Sequence, residues 1–111
     1  MEKKLTMSGL VEKIVELLDE KKAENIQTFD MRGKDYFVDD VVIATSLNSR
    51  HSFSLVENIK PALTGSYLKI DENEDWVVVD IGDMLIHIMS PEYRTLYNIE
   101  EFLQEREANN T

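Results

Sequence analysis

A chain of 111 residues with 42 % hydrophobic and 31 % charged side chains, 4 Gly and 2 Pro is enough for one folded domain, and excludes a disordered or low-complexity class. The absence of cysteine excludes a disulfide framework, thiol catalysis, thiolate zinc sites and cysteine-held iron–sulfur clusters. The net charge of −10 is unevenly placed: residues 1–70 carry 11 acids against 10 bases, whereas residues 71–111 carry 11 acids against Arg94 and Arg106 alone.

An acidic third of this kind repels a phosphate backbone and attracts a basic protein surface, so the expected partner is a basic protein, with no sequence-specific nucleic acid, unless the acidic surface serves solubility alone. Neither a signal-length apolar run after Lys3-Lys4 nor any stretch of 18 apolar residues occurs, and a cytoplasmic protein with no membrane partner is expected.

In chain order, Leu10, Val11, Ile14, Leu17 and Leu18 fall at helical spacing behind a cap near Ser8. Ile26 to Met31 alternates as a half-buried strand does, and Arg32-Gly33-Lys34-Asp35 supplies a turn. Val41-Val42-Ile43-Ala44 is a continuous apolar run, the pattern of a central strand covered on both faces. Asn48 or Ser49 can cap a second helix through Phe53, Leu55, Val56 and Ile59, which Pro61 ends or kinks near Asn58. Ser66 to Ile70 reads as a strand and 71–75 as an acidic loop. Trp76 to Ile81 and Met84 to Met89 flank Gly82-Asp83 as a hairpin. Ser90-Pro91 starts a helix, Asn98 caps another over Ile99 to Glu107, and residues 108–111 are expected to fray. The fold class is α/β (α+β): a mixed five-stranded sheet with helices packed on it, in one domain over 1–111 with its core at about 8–103.

Chemistry-bearing constellations are few. His51 and His87 lack metal-ligand spacing, and His87, inside an apolar strand, reads as a structural histidine with a satisfied ring nitrogen. No phosphate-cradling glycine motif is present. Asp39-Asp40 and the pair Asp80 and Asp83 could hold Mg²⁺ in a metal-dependent nucleotidyltransferase, but acids at strand ends and turns are common without metal. No cofactor, no metal site and no catalytic residue are expected. Trp76, Tyr93, Arg94 and Tyr97 are residue types enriched at interface hot spots, and all lie in the acidic third. Trp76 and Tyr97 suit a core as well as an interface.

The segment Trp76-Val77-Val78-Val79-Asp80-Ile81-Gly82-Asp83-Met84-Leu85-Ile86-His87-Ile88-Met89-Ser90-Pro91-Glu92-Tyr93-Arg94, followed by Leu96-Tyr97-Asn98-Ile99-Glu100, resembles the ribosomal silencing factor (Iojap) family. Lys21 to Ile26, Asp30-Met31-Arg32, Val42 to Thr45 and Ser49-Arg50-His51 extend the likeness. Asp39-Asp40-Val41-Val42 reads as a departure from an Asp-Tyr-Phe-Val run, and Ser46-Leu47-Asn48 as one from Gly-Thr-Ser. The resemblance implies a nucleotidyltransferase-like fold without its active site, hence no enzyme. It implies binding to the large ribosomal subunit through its fourteenth protein, a block on small-subunit association, repressed translation, and a homodimer.

On that reading the acidic surface steers the encounter, Trp76 with Tyr93 forms the desolvated anchor, and Tyr97 is a further interface candidate. Asp80 and Asp83, beside Ile81 at the hairpin turn, pair with partner Lys or Arg, and Arg94 holds the local loop or accepts a partner group. A metal-dependent nucleotidyltransferase and a non-ribosomal oligomerisation module are the alternatives.

Overall fold

Five strands form one mixed sheet in the order β1-β2-β5-β4-β3, with β1 at Glu24–Asp30, β2 at Asp40–Thr45, β3 at Lys69–Glu72, β4 at Trp76–Asp80 and β5 at Met84–Met89. The central pair β2 and β5 is parallel, and the other three pairings are antiparallel. The computed structural model describes residues 7–34, 36–65 and 67–108. Four helices complete it: α1 (Met7–Glu20), α2 (Ser49–Ile59), α3 (Pro91–Tyr97) and α4 (Ile99–Ala108). The mixed five-stranded sheet is the architecture the hydrophobic patterning predicts.

The predicted apolar stripe of α1 is core. Ile14 and Leu18 are fully buried, and Leu10, Val11 and Leu17 pack against the same cluster, which takes in Val42, Ala44, Val77, Val79, Ile86 and Ile88 from one face of the sheet and Leu55, Val56 and Ile59 from α2. The expected cap of α1 lies outside the described residues, as does the side chain of Ser8. The helix ends where Lys22 turns left-handed (φ 69°), so that its own N–H reaches Asp19 O (2.9 Å) and the Ala23 N–H reaches Leu18 O (3.1 Å). Asn48 caps α2 by accepting the His51 N–H at 2.8 Å, and Pro61 turns the chain into a 3-10 turn over Lys60–Leu63.

All six residues of β2 and all six of β5 are buried, as central strands require. One expectation fails at β3, which starts at Lys69 and continues through Asp71 and Glu72 into the stretch read as a loop, with Ser66 outside the described residues. The physical reason is position: β3 is an edge strand whose ladder to β4 runs from Lys69↔Asp80 to Glu72↔Val77, and an edge tolerates exposed carboxylates that a central strand would not. Of the residues expected to fray, Ala108 closes α4, and 109–111 lie outside the described residues.

The second face of the sheet is covered unequally. Leu103 of α4 is buried with Phe29, Met31, Val38, Val41, Ile43, Leu85 and Met89, which covers β1, β2 and β5. Trp76, Val78 and Asp80 of β4 share this face with their ladder partners but are only half-buried, and Lys69 and Asp71 of β3 beside them are exposed.

Candidate docking surface on the open half of the sheet

The β4–β5 hairpin and α3 are tied together at one corner. Asp75 O accepts the Ser90 N–H (2.9 Å), Ser90 Oγ caps α3 by accepting the Tyr93 N–H (3.2 Å), and Pro91 occupies the first turn, where its missing N–H costs nothing. Trp76, first residue of β4, is thereby set beside Tyr93 and Tyr97, which share one side of α3 at i, i+4 spacing. The ring centroids lie 6.5 Å apart for Trp76 and Tyr93 (edge-on), 5.1 Å for Trp76 and Tyr97, and 5.2 Å for Tyr93 and Tyr97, all within the range of attractive aromatic pairing. Tyr97 is 50 % exposed, and Leu96 next to it 69 % exposed, so the cluster is core at its base and surface at its rim.

Below the cluster, His87 of β5 is buried, and its Nδ1 accepts the Trp76 indole N–H at 3.0 Å. An indole nitrogen only donates, so the ring proton of the neutral imidazole sits on Nε2. Burial lowers the pKa of His87 from 6.5 to about 4. His51, the other histidine, clips α1 to α2: Nδ1 accepts the Leu47 N–H (2.9 Å), and Nε2 donates to Lys21 O (2.7 Å).

Of the seven residues expected at the interface, the structure brings together Trp76, Tyr93 and Tyr97. Asp80 and Asp83 stand at the far end of the hairpin, about 13 Å of strand away. Asp80 closes the turn, its Oδ1 accepting the Gly82 N–H at 2.9 Å with Gly82 at φ 96°, and the side chain of Asp83 is exposed while its carbonyl holds the Asp39 and Asp40 N–H groups at 2.9 and 3.2 Å. Ile81 corrects the expectation, and of the two roles expected for Arg94 its placement fits the holding of local structure. Ile81 is turned into the main core, because strand alternation puts it with Val77 and Val79. Arg94 is 5 % exposed and offers a partner nothing: its Nη1 donates to Asn25 O (2.8 Å) and Thr45 Oγ1 (2.9 Å), and its Nη2 to Gln27 Oε1 (3.1 Å) and Glu100 Oε2 (3.1 Å). It braces α3 against β1, β2 and α4, and so positions Tyr93 and Tyr97.

The acids considered as metal ligands are otherwise engaged or apart. Buried Asp40 takes both terminal nitrogens of Arg32, at 3.1 and 2.6 Å, and burial still raises its pKa against the pull of that guanidinium. No group of three or more His, Cys, Asp or Glu among the described residues could hold a metal ion.

Sequence reasoning missed Leu96, the His87 support and a second aromatic group, in which Tyr36 lies 4.7 Å from Phe37 and 6.4 Å from Phe102, over whose ring Arg106 sits at 5.0 Å. The signal for this last group was present. The run Asp35-Tyr36-Phe37-Val38 stands four residues before 39–42 in the sequence, so the departure expected there is a misplaced register, and Tyr36, Phe37 and Val38 lie in the loop ahead of β2.

Residues 4–111 match the model of the family described as ribosomal silencing factor during starvation. The chain is 35 % identical over 98 residues to the ribosomal silencing factor of Haemophilus influenzae, covering 84 % of this chain and 96 % of that one. It is also 31 % identical over 103 residues to the Mus musculus mitochondrial assembly of ribosomal large subunit protein 1, covering 82 % and 43 %. A crystal structure of a protein from Chromobacterium violaceum shares the fold, with a TM-score of 0.79 at 24 % identity over 89 % of this chain and 87 % of that one.

Proposed function

The chain belongs to the ribosomal silencing factor family, and from that membership we propose that it binds the large ribosomal subunit in the cytoplasm through the open half of its sheet. The partner is the basic fourteenth protein of that subunit, and the bound chain blocks small-subunit association and so represses translation. This is a steric mechanism with no catalytic step. The observation that carries it is the cluster of Trp76, Tyr93 and Tyr97 with exposed Leu96: aromatic surface left uncovered by the fold and set in the most acidic third of the chain. Apolar and aromatic surface of this kind supplies a desolvated anchor, and the carboxylates around it raise the encounter rate with a basic partner at low salt. The name of the Mus musculus relative, which places that protein in large-subunit assembly, supports the choice of subunit.

A homodimer is the other expected association, and in this reading α1 is not its interface, because the helix's apolar stripe is already spent on the core.

Co-sedimentation with purified large and small subunits tests the proposal. Wild type is expected to travel with the large subunit alone. Trp76→Ala is expected to bind at least about 30-fold more weakly, the loss of a hot-spot side chain worth about 2 kcal/mol. Asp80→Lys with Asp83→Lys is expected to slow association at low salt and to do less at high salt. Wild type bound to neither subunit at low salt would overturn the proposal.

A further inference from the structure

Trp76 presents a half-buried indole at the start of an open strand, where a ring of its size has several staggered rotamers available, and the one it adopts meets both Tyr93 and Tyr97. The one polar atom of that indole is spent on His87: Nε1–H donates to Nδ1 at 3.0 Å, from a donor at the rim to an acceptor that is 8 % exposed. The ladder makes the contact diagonal, since Trp76 stands opposite Met89, and His87 opposite Val78, on the same face of the sheet. An imidazole inside an otherwise apolar strand must find a partner or leave a buried polar group unsatisfied, and here the partner is the indole itself.

We propose that His87 is the positioning residue of the docking surface, its Nδ1 fixing the Trp76 ring in the orientation that completes the aromatic cluster before any partner arrives. The inference rests on the docking reading above for its binding consequence only. Fixing a side chain in advance removes the ordering cost of binding, so its effect falls on complex lifetime more than on fold stability.

The chain has one tryptophan, so every indole signal reports this site. The test compares wild type, His87→Leu, which removes the acceptor, and His87→Asn, whose amide oxygen can take the place of Nδ1. In wild type the indole N–H is expected to exchange with solvent well below the rate of free indole, and the near-UV circular dichroism band of Trp76 to be strong. His87→Leu is expected to lose both at an unchanged far-UV spectrum, and to leave large ribosomal subunits about threefold to tenfold faster. His87→Asn is expected to restore the band and the slower departure. Rescue of that kind separates positioning from mere core filling, because Leu fills the core at least as well as Asn.

Free-indole exchange in wild type overturns the inference, as does a His87→Leu variant that keeps both the band and the lifetime, or a His87→Asn variant no better than His87→Leu. Should His87→Leu fail to fold, the wild-type indole exchange rate and the His87→Asn comparison decide the matter. If wild type binds no subunit, the docking reading falls while the spectroscopic arm still decides whether His87 fixes Trp76.

Discussion

Replacing Arg94 by Met is expected to cost about 3 to 5 kcal/mol of folding stability, the range for removing one partner of a buried ion pair. The structure says where that cost arises. The guanidinium satisfies two carboxylate oxygens of Glu100, the Asn25 carbonyl, the Thr45 hydroxyl and the Gln27 amide oxygen, and Met satisfies none of them. Glu100 keeps a side chain that is 20 % exposed, so part of its charge recovers solvation, which favours the lower end of the range. For a domain with about 5 to 15 kcal/mol in total, such a loss leaves a fold that is marginal at 37 °C. The thermal midpoint should fall by at least about 12 °C, at roughly 4 °C per kcal/mol for a chain of this length.

Urea titration of Arg94→Met, Glu100→Met and the double variant separates the pair from its surroundings. The double variant is expected to lose less than the sum of the singles, by about 0.5 to 3 kcal/mol, because it leaves no uncompensated charge. A single-variant loss under 1 kcal/mol would refute the brace. So would additive losses in the double variant, since the Arg94–Glu100 contact would then carry no coupling.

Three further outcomes are expected. Acid should destabilise the fold through His87: its folded pKa of about 4 lies below the unfolded 6.5, so its contribution is full above pH 6.5 and lost as pH falls toward 4, a swing of about 3 kcal/mol. Urea titrations from pH 7 to 4 should therefore show a shallower acid slope for His87→Leu than for wild type, and parallel slopes would refute the assignment. Lys22→Gly should raise stability by a few tenths of a kcal/mol to about 1 kcal/mol, because Gly takes φ 69° without the Cβ penalty, and an unchanged or lowered midpoint in thermal unfolding would contradict it. Asn48→Ala should cost about 1 kcal/mol by the same assay through loss of the α2 cap, and a midpoint equal to wild type would show the cap to be idle.

How legible each part was depended on the range of the interactions that made it. β1, β2, β4 and β5 could be read from neighbours alone, because a period of two, a continuous apolar run and a Gly82-Asp83 turn are local signals. So could the Asn48 cap, which is made with a residue three positions on. β3 could not, because Asp71 and Glu72 are poor strand formers on their own account and are held extended by the β4 ladder. Arg94 shows the same limit at the site. Its residue type and acidic context point outward, yet three of its acceptors, Asn25, Gln27 and Thr45, lie 69, 67 and 49 residues upstream and become neighbours only in the folded sheet. The Trp76–His87 contact, between residues that register places one ladder step apart, was within reach once the hairpin was drawn.

The open face has a topological cause. After seven residues of α3 the chain turns left-handed at Asn98 (φ 43°), whose N–H closes α3 on Arg94 O at 3.0 Å. That turn sends α4 back over β1, where Leu103 is buried, instead of onward across β4 and β3. A right-handed residue at 98 would continue α3 past Tyr97, so the backbone conformation at one position decides whether the helical layer ends at the aromatic cluster. Asn is among the few side chains that take this conformation at low cost, and a β-branched residue there opposes it by about 1 to 2 kcal/mol. Asn98→Gly should therefore keep both fold and docking. Asn98→Val should lower the thermal midpoint and, in the molecules that remain folded, disturb the Trp76 near-UV band by shifting Tyr97. A Val variant with wild-type midpoint and band would show that the left-handed turn is not what holds the surface open.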